Sequence, residues 1–206
     1  MPYIENRIVH DADAHTMELP NWYEEFGTKK VQDAFKERFK GNKGLAHTYF
    51  DNIEEVHKQG TYKDLNEKDL MVRKNYDALG SFNKSDRSEA LDLLGVKTQL
   101  VFPTSPNVWL ESLEHSDELD LLYEVASATN RTQIDFCSED KRLFPVAYVP
   151  LANLEKANET AKEALQMGAK ALLIPWACPK RHATSHLELD KYGRKHKKQE
   201  FLSCFM

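Results

Sequence analysis

The residues best suited to chemistry lie in one short stretch near the start of the chain, Ile8-Val9-His10-Asp11-Ala12-Asp13-Ala14-His15. A short apolar run that ends in acidic residues and a histidine is typical of a strand with metal ligands at its tip. Residues two apart in a strand point to the same face, so the Asp13 carboxylate and the His15 imidazole can converge on one ion. By the same alternation, His10 points away from Asp11 and Asp13, and we expect a structural role for it.

The elements that must position this tip alternate along the chain between strands and helices. Apolar segments predict strands at residues 7–12, 98–102, 143–149 and 169–175. Apolar periodicity predicts helices near residues 20–23, 31–39, 85–94, 116–137 and 153–168, with Ser85 and Asn153 as N-caps. Parallel strands need crossover connections, so this order predicts an α/β fold with a parallel sheet. The four βα units fit half of an eight-fold barrel or a small open α/β sheet, and we favour the barrel.

Residues 29–84 interrupt this regular order after the first strand. They are polar, punctuated by glycine and rich in Lys, Asp and Asn, with helical pieces but no clear strand period. Such long excursions often cover a pocket. We therefore expect a helical insertion that acts as a lid.

Composition excludes several classes of protein. The chain has 206 residues, of which 41% are hydrophobic and 30% charged, and this balance is typical of a globular protein. The net charge is −5, and the first 177 residues are acidic in sum while the segment from Cys178 onward is basic, which argues against nucleic acid as the main partner. No apolar run approaches the ~20 residues of a membrane span, and no signal peptide is evident. Three widely spaced cysteines, Cys137, Cys178 and Cys204, fit a reducing cytoplasm better than a disulfide framework.

Several segments together resemble one known family. Asp11-Ala12-Asp13-Ala14-His15-Thr16-Met17-Glu18 resembles the opening motif of the amidohydrolase-related family, which includes decarboxylases similar to aminocarboxymuconate semialdehyde decarboxylase. Residues 87–104, 130–147 and 167–175 are similar to the next three steps of that family. The segments occur in the family's order, and the resemblance spans residues 5–190.

The resemblance implies a (β/α)₈ barrel with one divalent metal ion at the C-terminal ends of the strands. It implies hydrolysis of C–N or C–O bonds, or non-oxidative decarboxylation, of a small carboxylic acid. It also implies that Asp13 and His15 are the first two metal ligands, and a carboxylate with an imidazole suits Zn²⁺ or Mn²⁺. The family's later ligands follow strands five and eight, so with four predicted strands we expect the ion to be weakly held or absent.

Other candidate residues follow the predicted strands, where barrel loops form the active-site face. We assign Thr104, Asn107, Trp176 and His182 to a substrate pocket on this ground. Cys178, His182 and His186 are spaced by four and four, but Pro179 interrupts a helical arrangement, so a zinc site is not favoured. Three arginines could bind a substrate carboxylate, but surface salt bridges are the default expectation for them: Arg73, Arg87 and Arg131.

The pattern breaks near residue 191. We interpret residues 1–190 as the N-terminal half of a barrel and residues 191–206 as a non-homologous basic tail, left by a truncated reading frame. Two functional hypotheses follow. One is a metal-dependent hydrolase or decarboxylase, incomplete in this chain. The other is a catalytically inactive fragment or an assembly module, with exposed sheet edges that favour a homo-oligomer. A standalone small α/β binding domain is a third, weaker interpretation.

Overall fold

Strands and helices alternate in the computed structural model, which describes residues 2–19, 21–39, 58–60, 70–175, 180 and 202–205. The strands are β1 (His10–His15), β2 (Thr98–Phe102), β3 (Leu143–Tyr148), β4 (Ala171–Ile174) and β5 (Leu202–Phe205). The helices include α1 (Trp22–Phe26), α2 (Lys29–Phe39), α3 (Lys84–Leu94), α4 (Ser105–Glu114), α5 (Leu119–Phe136) and α6 (Leu154–Met167). Short 3₁₀ turns lie at Asn75–Asp77 and Cys137–Glu139.

The strands form one parallel sheet in the order β1-β2-β3-β4-β5. Helices connect β1 to β2, β2 to β3 and β3 to β4, as a parallel order requires. This is the arrangement of a partial (β/α)₈ barrel, which confirms the predicted fold class. In the described part of the chain β1 and β5 are the outer strands of the sheet.

The fifth strand corrects the prediction of four strands. β5 pairs with β4 in parallel register, with Ala171 opposite Leu202 and Ile174 opposite Phe205. The short apolar segment at the chain end therefore occupies the backbone edge that β4 would otherwise expose.

Two predicted boundaries were also wrong. The first strand spans His10–His15 where residues 7–12 were predicted, so Asp13 and His15 lie inside it. A helix, α4 at Ser105–Glu114, also follows β2, where no helix was predicted. Pro106 is compatible with the first turn of α4, where its missing N–H has no helical partner, and Trp109, Leu110 and Leu113 are buried in the core.

Helix α6 packs closely on the sheet because its buried face is built from small residues. Ala157, Ala161 and Ala164 are fully buried against a cluster that includes Ala147 and Leu172 of the strands. The largest cluster joins α5 to β3, β4 and the aromatic residues of α1, with the members Trp22, Tyr23, Phe102, Trp109, Leu110, Leu122, Val125, Val146, Tyr148 and Leu173 among others. These contacts hold the C-terminal ends of the strands in place.

The predicted insertion at 29–84 is described at 29–39, 58–60 and 70–84. Its last part packs onto α3, because Tyr76, Leu79 and Phe82 form a buried cluster with Ala90. Met17, in the segment after β1, packs against the same cluster. The end of the insertion therefore lies against the segment that leaves β1.

Helix α6 begins at a side-chain cap, as the sequence predicted. The Asn153 carboxamide oxygen accepts the backbone N–H groups of Glu155 and Lys156, each at 3.0 Å. Asn153→Ala leaves these groups without the side-chain acceptor, and we expect it to lower the free energy of unfolding by ~1 kcal/mol in urea denaturation. Glu118, the N-cap of α5, makes no side-chain cap bond, so Glu118→Ala is the control and should have little effect. Equal losses in the two variants would contradict the capping role.

Among the described residues, no helix is long and apolar enough to cross a membrane.

Candidate functional site

Asp13 and His15 converge at the C-terminal end of β1. Asp13 Oδ1 lies 3.3 Å from His15 Nε2, and the side chains are 83% and 31% exposed, respectively. Two ligand atoms bound tetrahedrally at the usual Zn–N and Zn–O distances are also about 3.3 Å apart. The pair therefore fits two adjacent ligand positions around one divalent ion.

A β-bulge in β1 lies next to this pair, between Asp11 and Ala14. Asp11 pairs with Gln99, but Ala14 pairs with Val101, so β1 has one more residue than β2 over this interval. Gln99 Nε2 donates to Asp11 Oδ2 at 3.0 Å, and the Asp13 N–H donates to Asp11 Oδ1 at 3.0 Å. The alternation that placed Asp11 and Asp13 together was wrong, because the bulge interrupts it and the two carboxylates contact different partners.

Arg87 anchors this bulge from helix α3. Its Nε donates to Gln99 Oε1 at 3.0 Å, and its Nη1 donates to the Gly80 carbonyl at 2.9 Å. The expectation of a surface salt bridge for Arg87 was wrong, since the side chain is only 8% exposed and burial lowers its pKa. Arg87 therefore supports the strand through Gln99 and Asp11.

His10 and Arg131 make local contacts away from the Asp13–His15 pair. His10 Nδ1 lies 2.6 Å from Thr98 Oγ1 at the start of the strand, consistent with the structural role expected for it. The Arg131 guanidinium donates to the Ser127 carbonyl and hydroxyl one turn earlier in α5.

Thr104 lies beside His15, on the opposite side of the imidazole from Asp13. His15 Nδ1 is 3.0 Å from Thr104 Oγ1, and the imidazole lies 5.7 Å from the Phe102 ring, centroid to centroid. A hydroxyl both donates and accepts, so it can pair with Nδ1 in either protonation state. The structure thus places one of the predicted pocket residues in direct contact with the candidate ligand.

Asn107 lies in the same turn, in the first turn of α4. Its amide nitrogen donates to the Pro103 carbonyl at 2.8 Å. Its Oδ1 atom is buried and has no hydrogen-bond partner in the part of the chain that the structure describes. The remaining predicted pocket residues, Trp176 and His182, lie outside the described residues, as do Cys178 and His186.

Glu18 is the site residue that sequence reasoning missed. Its carboxyl group accepts the backbone N–H groups of Thr104 and Ser105 at 3.0 and 2.9 Å, and the residue is 5% exposed. Burial raises its pKa above the ordinary range, and these hydrogen bonds oppose that shift. In the sequence, Glu18 is a single acidic residue between the apolar Met17 and Leu19. A solvated carboxylate is unexpected at such a position, and this was the signal available for a buried role.

A groove of about 650 Å³ runs along β1 next to this pair. Its walls include Asp13, His15, Met17 and Leu79, and Arg73 and Lys74 bring positive charge to it. Its size and mixed lining are those of a small-molecule site. The groove could therefore hold a small anion next to Asp13 and His15.

The described residues supply two metal ligands here and no more. Nowhere among them do three or more His, Cys, Asp or Glu side chains cluster with the geometry to hold a metal ion. Cys137 is buried, and burial raises the pKa of its thiol to about 12, so it stays protonated. A complete catalytic zinc site usually has three protein ligands.

Comparison with solved structures supports the fold. The chain is similar to the crystal structure of an amidohydrolase from Mycobacterium avium subsp. paratuberculosis, with a TM-score of 0.71 and 18% sequence identity. The match covers 98% of this chain and 59% of the amidohydrolase. No protein-family model matches the chain, and a search of curated proteins finds no match. The chain therefore has the fold of part of an amidohydrolase barrel.

Proposed function

We propose that this chain carries part of the active site of a metal-dependent hydrolase or non-oxidative decarboxylase that acts on a small carboxylic acid. The observation that carries the proposal is the 3.3 Å approach of Asp13 Oδ1 to His15 Nε2 at the C-terminal end of β1. In barrels of this kind, active sites lie at that end of the strands. The amidohydrolase fold of the chain supports the same interpretation.

Asp13 and His15 would hold one divalent ion, Zn²⁺ or Mn²⁺. When bound, such an ion would polarise a substrate oxygen and lower the pKa of a coordinated water towards ~7. The His15 ring would offer Nε2 to the ion while Nδ1 pairs with the Thr104 hydroxyl. Asp13 would add negative charge, which favours retention of a cation at this exposed position.

Arg73 and Lys74 would bind the carboxylate of the substrate. They lie along the same groove as Asp13 and His15, and their positive charges could pair with a carboxylate bound there. Met17 and Leu79 would contact the apolar part of the molecule. This division of polar and apolar contacts suits a small organic acid as the substrate.

The proposal is tested by product formation. Protein loaded with Zn²⁺ or Mn²⁺ is incubated with a panel of small carboxylic acids, and CO₂ release and hydrolysis products are measured separately. We expect turnover that is lost in Asp13→Asn and His15→Ala. Turnover that persists in His15→Ala would contradict the proposed site.

A second candidate function is an assembly module without catalysis. It is favoured by the absence of a third metal ligand among the described residues and by the unpaired edge of β1 in that same part of the sheet. An exposed strand edge can pair with another chain. A stable homo-oligomer without turnover on any acid of the panel would favour this function over the first.

A further inference from the structure

We propose that Glu18 is a positioning residue for His15 and acts through the Thr104 hydroxyl. This inference rests on the proposed function, because it concerns the residue that would bind the ion. It concerns how the chain orients an imidazole that is only partly buried.

The Glu18 carboxyl group holds the start of helix α4. Oε1 lies 3.0 Å from the Thr104 N–H donor and 3.0 Å from the Thr16 hydroxyl, and Oε2 accepts the Ser105 N–H at 2.9 Å. Thr104 and Ser105 are the N-cap and the first residue of α4. A carboxylate at a helix N-terminus also interacts favourably with the helix dipole.

This arrangement frees the Thr104 side chain. An N-cap threonine normally uses its own oxygen to accept an N–H of the first turn. Thr104 makes no such side-chain cap bond. Glu18 supplies an acceptor for the N–H groups at this end, and the Thr104 hydroxyl contacts His15 Nδ1 at 3.0 Å.

Buried contacts also fix the Glu18 backbone and the neighbouring Thr16 side chain. The Tyr76 hydroxyl donates to the Glu18 carbonyl at 2.8 Å, and the Thr16 hydroxyl also lies 2.9 Å from Gln133 Oε1. The Thr16 N–H donates to the Phe102 carbonyl at 3.0 Å, which ties the segment after β1 to the end of β2. The position of the Thr104 backbone relative to β1 is therefore set by buried contacts.

The consequence is a defined orientation of the imidazole. With Nδ1 held by Thr104, Nε2 faces Asp13. Hydrogen-bond partners of the second ring nitrogen orient metal-binding histidines, and their removal typically costs about 10- to 100-fold in metal affinity. Glu18 would therefore affect metal affinity without contacting the ion.

The test is a Zn²⁺ titration by isothermal calorimetry on four proteins besides the wild type. These are Glu18→Gln, Thr104→Val, the double variant, and Glu114→Gln as control. In Glu18→Gln an amide NH₂ replaces one of the two acceptor oxygens, so either the Thr104 or the Ser105 N–H loses its acceptor and the start of α4 is held less firmly. Glu114 is a matched control because it is also a buried glutamate that accepts a backbone N–H, that of Leu151 at 3.0 Å, away from His15.

We expect Glu18→Gln and Thr104→Val each to weaken Zn²⁺ binding by about 10-fold or more, and Glu114→Gln to leave it within twofold. Since Glu18 acts through Thr104, the double variant should bind no more weakly than the weaker single variant. Additive losses, or equal losses in Glu18→Gln and Glu114→Gln, would overturn the inference.

Three further outcomes are also decisive. If Glu18→Gln does not fold, Glu18→Asp replaces it, because a side chain shorter by one methylene cannot reach both backbone donors and predicts the same loss. Absence of Zn²⁺ binding in the wild type would contradict the proposed function, and the inference would fall with it. Wild-type binding that Glu18 variants leave unchanged would overturn the inference alone.

Discussion

Replacing Gly80 with alanine is expected to lower the free energy of unfolding by about 3 kcal/mol or more, as measured by urea denaturation. Gly80 has φ +69°, in the left-handed region that L-residues rarely adopt. A Cβ atom there would lie 2.6 Å from the Arg87 Cα and 3.0 Å from the Arg87 nitrogen. These are backbone atoms of helix α3, so relief of the clash requires the helix to move.

Gly60→Ala is the control that measures the cost of the left-handed backbone without the clash with α3. Gly60 has nearly the same φ, +66°, but a Cβ atom there would meet no atom of the described residues within 4 Å. Gly60→Ala should therefore cost only about 1 kcal/mol, from the left-handed conformation alone. Equal losses in the two variants would show that the close approach of Gly80 to α3 is absent in solution. Because the Gly80 carbonyl accepts from Arg87, Gly80→Ala should also loosen the support of Asp11.

The stability of the wild-type chain is expected to decrease as the pH rises from 4.5 to 7, because of Glu114. Burial raises the pKa of this carboxyl to about 7, from an ordinary value of 4.5. A raised pKa in the folded state means that the folded chain binds this proton more tightly than the unfolded chain. The contribution of Glu114 to the free energy of unfolding is complete below pH 4.5 and is lost as the pH rises through 7. Its total size is on the order of 3 kcal/mol.

Glu114→Gln should remove this part of the pH dependence. Glutamine keeps an oxygen to accept the Leu151 N–H and carries no charge to bury. In urea denaturation at several pH values, the variant should gain stability relative to the wild type as the pH rises from 5 to 8. Glu18 contributes with the same sign, since burial raises its pKa too, so the variant keeps a residual slope.

Glu111 provides the control for this effect. It lies on the same helix, but it is exposed. Glu111→Gln should therefore leave the pH profile of stability close to that of the wild type. A Glu114→Gln profile that runs parallel to the wild-type profile would contradict a raised pKa for Glu114.

The regular part of the fold was predictable because its local signals agree with its packing. Apolar runs marked β2, β3 and β4, and Asn153 and Gly168 marked the limits of α6. Helix α4 was missed because two prolines near its start favoured a loop interpretation, although only Pro106 lies inside it. β5 was missed because its pairing with β4 is a long-range contact, and a segment of four residues is too short to predict such a contact.

The sequence alone predicted the approach of Asp13 to His15 but not the other contacts of the candidate site. Alternation along a strand correctly brought Asp13 and His15 together. The bulge that separates them from Asp11 depends on pairing with β2, which local sequence does not encode. The role of Glu18 depends on the start of α4, 86 residues away in sequence, so only the folded chain reveals it.

The central claim is that Asp13 and His15 bind one divalent ion, and a Zn²⁺ titration of the wild type, His15→Ala and His10→Ala tests it most directly. His10 is a matched control because it lies on the same strand but pairs with Thr98. We predict one Zn²⁺ site in the wild type and in His10→Ala, with affinities within twofold, and at least tenfold weaker binding in His15→Ala. Binding of equal strength in His15→Ala and the wild type would contradict the account.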